Sequence, residues 1–288
     1  MSSLTRLGVF PNLDKENVRI AMPEFLAMCR NWGLVPLLPA EFAKEYGCEA
    51  YDVEDPATLL SLEGAVSLGG DGTLLQMARH LVEYKIPIFG INFGHLGFLA
   101  EVDLRGMNKA IARLAQGNYT LEKRSLLEAK VIEEQTGVVK SKANALNEFV
   151  LAKGIFSKMA HIRMFINGKP SGKYAADGLI IATATGSTAY NLSAGGPLVM
   201  PELDVSVITP ICAHSLQARA LVIPMSEAIE LRAVPGSEEC VLACDGENVA
   251  AVVEGDVVQI GKSPYEANFI RLTSRDYYQT WQQKLMRS

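Results

Sequence analysis

The sequence predicts an α/β N-terminal domain, built on a Rossmann-like or phosphofructokinase-like parallel sheet, followed by a β-rich C-terminal sandwich. Three observations carry this. Short apolar runs alternate with helical periodicities up to about Leu104, the pattern of βαβ units. From Tyr119 onward the texture changes to many short strand-like runs divided by turn residues. Between one strand and its helix lies a glycine-dense turn, Gly69-Gly70-Asp71-Gly72-Thr73. These features divide the chain into residues 1–104, 105–271 and a C-terminal segment, 272–288.

Leu7 to Pro11 is a predicted strand ending in Asn12, and a helical pattern runs from about Val18 to Trp32. Gly33 closes that helix, since glycine accepts the left-handed cap conformation. Leu34–Leu38 is the second strand and Pro56–Leu62 a short helix. Gly64–Leu68 then reads as a buried strand, Leu74–Tyr84 as an amphipathic helix, Ile86–Asn92 as a strand and Leu104–Gln116 as a further helix.

Beyond Gly117-Asn118 the predicted strands are Tyr119–Leu127, Glu128–Glu134, Ser141–Ala152 and His161–Ile166, with hairpin turns at Thr136-Gly137 and Asn167-Gly168. Strands follow at Ile180–Thr183, Val205–Thr209, Leu221–Pro224, Ile229–Val234, Val241–Ala243, Val249–Val253 and Val257–Ile260. Ser274–Arg287 is helical and aromatic-rich.

Composition bounds the function. Of 288 residues, 49% are hydrophobic and 20% charged, as in a compact soluble protein. The net charge of -5 argues against nucleic acid or an anionic membrane as partner. An anionic ligand must then be held by helix ends or single cations. No apolar run is long enough to span a bilayer, and the N-terminal residues lack the apolar core of a signal peptide. Five cysteines without a C-x-x-C pair fit reduced thiols in the cytoplasm better than a disulfide framework or zinc knuckle.

The glycine turn allows close backbone approach to a ligand, and the following helix aims its free N–H groups back at the turn, which suits phosphate. Asp71 would repel phosphate, so it points to other work: accepting a proton from a hydroxyl or holding a metal ion. Its alternative is a plain strand–helix turn in which Asp71 caps the helix. Both this turn and Asn92-Phe93-Gly94-His95-Leu96-Gly97 fall at strand ends where open α/β sheets bind ligands.

Asp177-Gly178 opens a second small-residue region, which ends in Thr183-Ala184-Thr185-Gly186-Ser187-Thr188-Ala189-Tyr190-Asn191-Leu192-Ser193-Ala194-Gly195-Gly196-Pro197. Its hydroxyls offer short donors, and Tyr190 could lie against a flat ring. The plainer alternative is a loop whose hydroxyls cap a helix near Thr188. Asn147-Glu148 suits sugar hydroxyls or a base edge but alone reads as a solvated pair. Asp245-Gly246-Glu247 reads as an ordinary turn. Gly168–Lys173 is one residue short of a P-loop, no G-x-G-x-x-G follows the first strand, and the four histidines lack metal-site spacing.

Taken together, Gly69–Thr73, Gly90–Leu99, Ala145–Glu148 and Asp177–Pro197, with a weaker block at Cys244-Asp245-Gly246, resemble the NAD kinase family. The glycine turn alone is shared with diacylglycerol- and sphingosine-type lipid kinases and, more distantly, with phosphofructokinases. The other blocks select NAD kinase. The resemblance implies transfer of a phosphoryl group from ATP or polyphosphate to the 2′-hydroxyl of the adenosine ribose of NAD, giving NADP. It also implies Mg²⁺ or another divalent cation, a cytoplasmic homodimer or homotetramer, and a C-terminal segment returning to the first domain.

Carried over by position, Asp71 is the proton acceptor, and Gly70, Gly72, Thr73, Asn92 and Phe98 lie beside the nucleotides. Asn147 and Glu148 hold the adenosine portion. Thr188, Ala189, Tyr190, Asn191, Leu192 and Ser193 line the dinucleotide site, with Asp177 near the nicotinamide end and Lys158 where the family often has a basic residue. Ala175 and Glu247 complete the nucleotide-binding set, standing where other members have Arg and Gln. Gln76 falls where several carry Arg, which removes a cation from the glycine turn. No residue is assigned to a metal. The alternatives are a lipid kinase and a non-catalytic NADP(H)-binding regulator.

Overall fold

Apolar strands buried on both faces need helices on either side, and the first third of the chain supplies them. The computed structural model describes residues 3–94, 97–154, 159–234, 239–274 and 276–285. The chain divides into two units, Met1–Lys123 with Ala267–Ser288, and Arg124–Glu266.

In the first unit the elements are β1 (Arg6–Pro11), α1 (Glu16–Asn31), β2 (Val35–Pro39), α2 (Ala40–Ala43), β3 (Glu49–Tyr51), α3 (Pro56–Leu59), β4 (Gly64–Gly69), α4 (Asp71–Leu81), β5 (Ile88–Asn92), β6 (Val102–Asp103) and α5 (Met107–Ala115). Helix α1 ends as predicted: Gly33 takes φ +76, and the Leu34 N–H reaches back to the Cys29 carbonyl. The strands pair in parallel in the order β3-β2-β1-β4-β5. The chain therefore steps one way from β1 through β3, then crosses to β4 on the other side of β1. Ligands bind at such a reversal, off the carboxyl ends of the two strands. Here those ends are Asn12–Lys15 and Gly69–Thr73. All six residues of β4 and all five of β5 are buried.

Helix α5 stays with this unit, although the sequence draws a boundary at 104/105. Its apolar face, Met107, Ala110, Ile111 and Leu114, joins one core with Phe25, Leu26, Val66 and Phe89.

The second unit contains β7 (Thr120–Glu133), β8 (Val139–Ala145), β9 (Glu148–Lys153), β10 (Ala160–Ile166), β11 (Lys169–Ala176), β12 (Gly178–Thr183), α6 (Tyr190–Ser193), β13 (Val205–Ile211), β14 (Leu221–Pro224), β15 (Ile229–Ala233), β16 (Cys240–Cys244), β17 (Glu247–Val252) and β18 (Asp256–Arg271). Strand β7 begins in the first unit, and β18 ends there with Phe269 beside Ile88 of β5. An antiparallel sheet runs β14-β13-β12-β9-β16-β17. A second sheet contains β11-β10-β15-β18 and the β7–β8 hairpin. Phe149, Leu151, Leu179 and Ile181 from the first sheet share one core with Ile162, Met164, Leu231 and Val258 from the second, the layering of a β-sandwich.

Two predicted spans change. Tyr119–Leu127 and Glu128–Glu134 merge into β7, because no turn residue separates them. The predicted strand Ser141–Ala152 breaks between Ala145 and Glu148, where the Asp245 carboxylate takes the backbone N–H groups. Helix α7 (Tyr277–Leu285) closes the chain. No helix among the described residues is long and apolar enough to cross a membrane.

Candidate active site

In the first unit, the turn between β4 and α4 folds as the glycines require. A Cβ on Gly69 would overlap Thr73 Oγ1, whereas one on Gly72 would meet nothing within 4 Å, so that flank is open. Thr73 Oγ1 accepts the Gly70 N–H at 3.5 Å and the Asn12 side-chain amide at 3.4 Å. Asp71 occupies the first turn of α4, as the capping alternative supposes, but its carboxylate is turned elsewhere. Oδ2 accepts the Phe98 N–H at 2.6 Å, Oδ1 accepts the Ala100 N–H at 3.2 Å, and the Leu99 N–H reaches both oxygens at 3.2 Å. Gly97 makes this possible, because a Cβ there would overlap the carboxylate.

Asn92, buried at the end of β5, uses its side-chain oxygen to accept the Gly94 N–H at 3.1 Å and so shapes its own loop. Phe98 is half-buried, with the Lys284 ammonium of α7 4.7 Å from its ring centroid. His95 and Leu96 lie outside the described residues.

Gln76 is exposed and brings no charge, yet the turn has a cation. Lys15, which caps α1 after β1, places its ammonium 3.5 Å from where a Gly70 Cβ would stand. No carboxylate among the described residues pairs with it. Sequence spacing gave no sign of Lys15, since its approach depends on β1 and β4 being neighbours.

In the second unit, Asn147 and Glu148 are buried, at 8% and 6% exposure. The turn between β16 and β17 explains both their position and the break in the predicted strand. Asp245 and Gly246 take φ +47 and +88, which turns the Asp245 carboxylate onto the segment after β8. It accepts the N–H groups of Leu146, Asn147 and Glu148 at 2.9, 2.8 and 3.0 Å. Asp245 is thus more than an ordinary turn residue. The resemblance of Cys244-Asp245-Gly246 to a family block was its only sequence signal.

Glu148 meets the Tyr190 N–H, while its Oε2 is buried without a partner among the described residues. Burial first, and then the Asp245 carboxylate, push the Glu148 carboxyl from 4.5 up to about 8. Beside it, the Asn147 carbonyl accepts the Thr183 N–H at 2.8 Å, and a Cβ on Gly186 would overlap the Asn147 backbone.

The hydroxyl-rich stretch mostly holds itself. Thr183 Oγ1 donates to the Leu146 carbonyl at 2.7 Å, Ser187 Oγ donates to the Val199 carbonyl at 3.1 Å, and Thr188 Oγ1 donates to the Thr185 carbonyl at 3.3 Å. Asn191 is fully buried: its amide donates to the Ser187 and Pro197 carbonyls, and its oxygen accepts the Thr209 hydroxyl at 2.6 Å. Its polar atoms shape the loop. Tyr190 and Ser193 are exposed, and Ala189 and Leu192 partly so.

Asp177 pairs with Lys153 at 2.6 Å. Ala175 lies on β11 opposite His161 and accepts the His214 N–H through its carbonyl, while Glu247 is exposed at the start of β17. Lys158 lies outside the described residues.

Among the described residues, no group of three or more His, Cys, Asp or Glu side chains is arranged to hold a metal ion. The Asp71 carboxylate is already engaged by three N–H groups.

The sequence and the fold are similar to those of known proteins. The ATP-NAD kinase N-terminal domain family matches residues 58–119, and the ATP-NAD kinase C-terminal domain family matches residues 146–272. The NAD kinase of Moorella thermoacetica is 36% identical over 282 residues, covering 98% of this chain and 89% of that one. A yeast NADH kinase structure complexed with NADH has the same fold, with a TM-score of 0.91 at 22% identity, covering 99% of this chain and 88% of that one. The NAD kinase of Archaeoglobus fulgidus in complex with ATP superposes with a TM-score of 0.67 at 26% identity, covering 92% and 93%. With the family's N- and C-terminal domain models both matched and a relative aligned over 98% of this chain, the chain belongs to the ATP-NAD kinase family.

Proposed function

We propose that this chain transfers the terminal phosphoryl group of ATP to the 2′-hydroxyl of the adenosine ribose of NAD, giving NADP, with Asp71 as proton acceptor. Family membership supports an NAD kinase over the lipid-kinase and non-catalytic alternatives. The ATP complex of the Archaeoglobus enzyme supports ATP as donor.

The observation that carries the role of Asp71 is its three-point support by the N–H groups of Phe98, Leu99 and Ala100. A carboxylate offers about four acceptor directions. Three donors leave one for a sugar hydroxyl and fix its orientation. Phosphoryl transfer asks little covalent chemistry of a protein, so positioning and charge neutralisation supply most of the effect. Lys15 is the side chain suited to the second task. Its ammonium stands 3.5 Å from where a Gly70 Cβ would be, and the free N–H groups of a helix N-terminus such as that of α4 favour phosphate as well. The donor enters with a divalent cation, Mg²⁺, on its phosphates.

Asn147 and Glu148 hold the adenosine portion, and the partnerless Oε2 of Glu148 offers a contact that a ligand would complete. Lys158, Ala175, Asp177, Glu247 and the Thr188–Ser193 segment are assigned to NAD by resemblance. The protein acts in the cytoplasm as a homodimer or homotetramer. Its five free thiols suit a reducing compartment, and sedimentation of the purified chain tests the assembly.

The test is NADP formation from NAD and Mg-ATP, read by an NADP-specific dehydrogenase, with polyphosphate as a second donor arm. Turnover with diacylglycerol in place of NAD would contradict the proposal.

A further inference from the structure

We propose that Asp245 is a positioning residue for the adenosine subsite, gathering the Leu146–Glu148 backbone so that Asn147 is fixed and Glu148 stays a protonated hydrogen-bond donor. This rests on Asn147 and Glu148 holding adenosine.

The geometry has three parts. First, one side chain closes a span of up to 99 residues and takes three consecutive N–H groups at 2.8 to 3.0 Å. Segments that leave a strand expose exactly such unpaired donors, and a carboxylate is the side chain that can satisfy three at once. The return bond, from the Asp245 N–H to the Glu148 carbonyl at 3.0 Å, locks the turn and the segment together. Second, the turn needs a left-handed pair, φ +47 at Asp245 and +88 at Gly246, which asparagine, aspartate and glycine tolerate best.

Third, the arrangement puts two carboxyl groups into one buried region with unequal support. Asp245 has three N–H donors. Glu148 has the Tyr190 N–H and a buried Oε2 without a partner. Two neighbouring carboxylates away from water do not both ionise cheaply, so the better-solvated one keeps the charge. The proton therefore belongs to Glu148.

The groups around Glu148 do not reverse this. Ala182 of β12 stands opposite it, β16 ends at Cys244, which is in register with Phe149 and whose thiol donates to the Asn144 carbonyl at 3.3 Å, and α6 contributes the Tyr190 N–H with a phenol that is exposed. Asp245 is the charged side chain bearing on Glu148 among the described residues.

A neutral Glu148 has a chemical consequence for the substrate. It presents an O–H to an acceptor atom of adenosine, a ring nitrogen or a ribose oxygen, where a carboxylate would demand a donor. Substrate recognition then weakens as the proton leaves.

The experiment is calorimetric titration of the full chain with NAD, without donor, from pH 6 to pH 9.5. Wild type, Glu148→Gln and Asp245→Asn are compared, with thermal unfolding of each. Wild-type affinity is expected to fall as the pH passes about 8, the value to which burial and Asp245 raise Glu148. Glu148→Gln, which keeps a donor but cannot titrate, is expected to bind NAD with a pH-independent affinity. Asp245→Asn is expected to weaken binding about tenfold, as loss of a charged hydrogen bond does, and to move the pH limb downward. A pH-flat wild type, or a Glu148→Gln protein that retains the limb, overturns the inference while leaving the kinase assignment intact. A wild type that binds no NAD at any pH overturns the assignment itself. If Asp245→Asn does not fold, the Glu148→Gln profile still decides.

Discussion

The Asp71 Oδ2 atom lies 2.6 Å from the Phe98 nitrogen and accepts its N–H, with Leu99 and Ala100 completing the set. A residue at the start of a helix is thus oriented by a loop 27 to 29 positions later in the chain. The loop can approach because Gly97 carries no Cβ.

Gly97→Ala should therefore disturb both stability and turnover. The added methyl overlaps the carboxylate, so either the loop or Asp71 must move. Overpacking of this kind costs about 1–3 kcal/mol. A lower melting temperature together with a reduced kcat is expected, measured by calorimetry and the NADP assay. Unchanged kcat would mean that the support of Asp71 has no part in catalysis.

Lys15→Met should act on the phosphoryl donor alone. A charged hydrogen bond contributes about 1.5–3 kcal/mol, or roughly 10- to 100-fold in kcat/KM for ATP. The KM for NAD and the melting temperature should stay close to wild type, and Lys15→Arg should retain part of the activity. Replacement of the exposed Lys109 is the control.

Stability should carry a signature of Glu148. Its carboxyl ionises at 4.5 normally but at about 8 in the folded chain, so folding favours the protonated form. The contribution is full below 4.5 and is lost as the pH rises through about 8. The melting temperature of wild type relative to Glu148→Gln should therefore fall between pH 5 and pH 9. A constant difference across that range would contradict the burial of an ionisable proton there.

Gly186→Ala should impair NAD binding without touching any ligand atom. A Cβ there would overlap the backbone of Asn147, which cannot yield as a side-chain tip can. A raised KM for NAD and a lower melting temperature are expected in steady-state kinetics and calorimetry.

What the sequence made legible were features that depend on near neighbours. The alternation of strands and helices, the Gly33 cap and the Gly69–Thr73 turn all follow from local spacing, and the fold bears them out. Strand β11 was hidden because Lys169–Ala176 buries only Ala176 fully and lacks apolar alternation. Strand β18 was predicted only to Ile260, since Gly261 and Pro264 resemble a stop, yet the strand continues to Arg271. Lys15, and the role of Asp245 beyond its place in a family block, were out of reach for a different reason. Each acts on a segment brought near by strand pairing or a left-handed turn, and neither spacing nor periodicity encodes that approach. Asn191 and Ser187 show the converse: small polar residues that suggest a ligand can be consumed by the loop they build.

The central claim is that Asp71 takes the proton from the ribose hydroxyl of NAD. Asp71→Asn measures it most directly, through single-turnover NADP formation alongside calorimetric NAD binding. Removing a positioned base lowers the rate by about 10²- to 10⁴-fold, and NAD affinity should remain within a few-fold of wild type. Near-normal turnover in a folded Asp71→Asn protein would contradict the account.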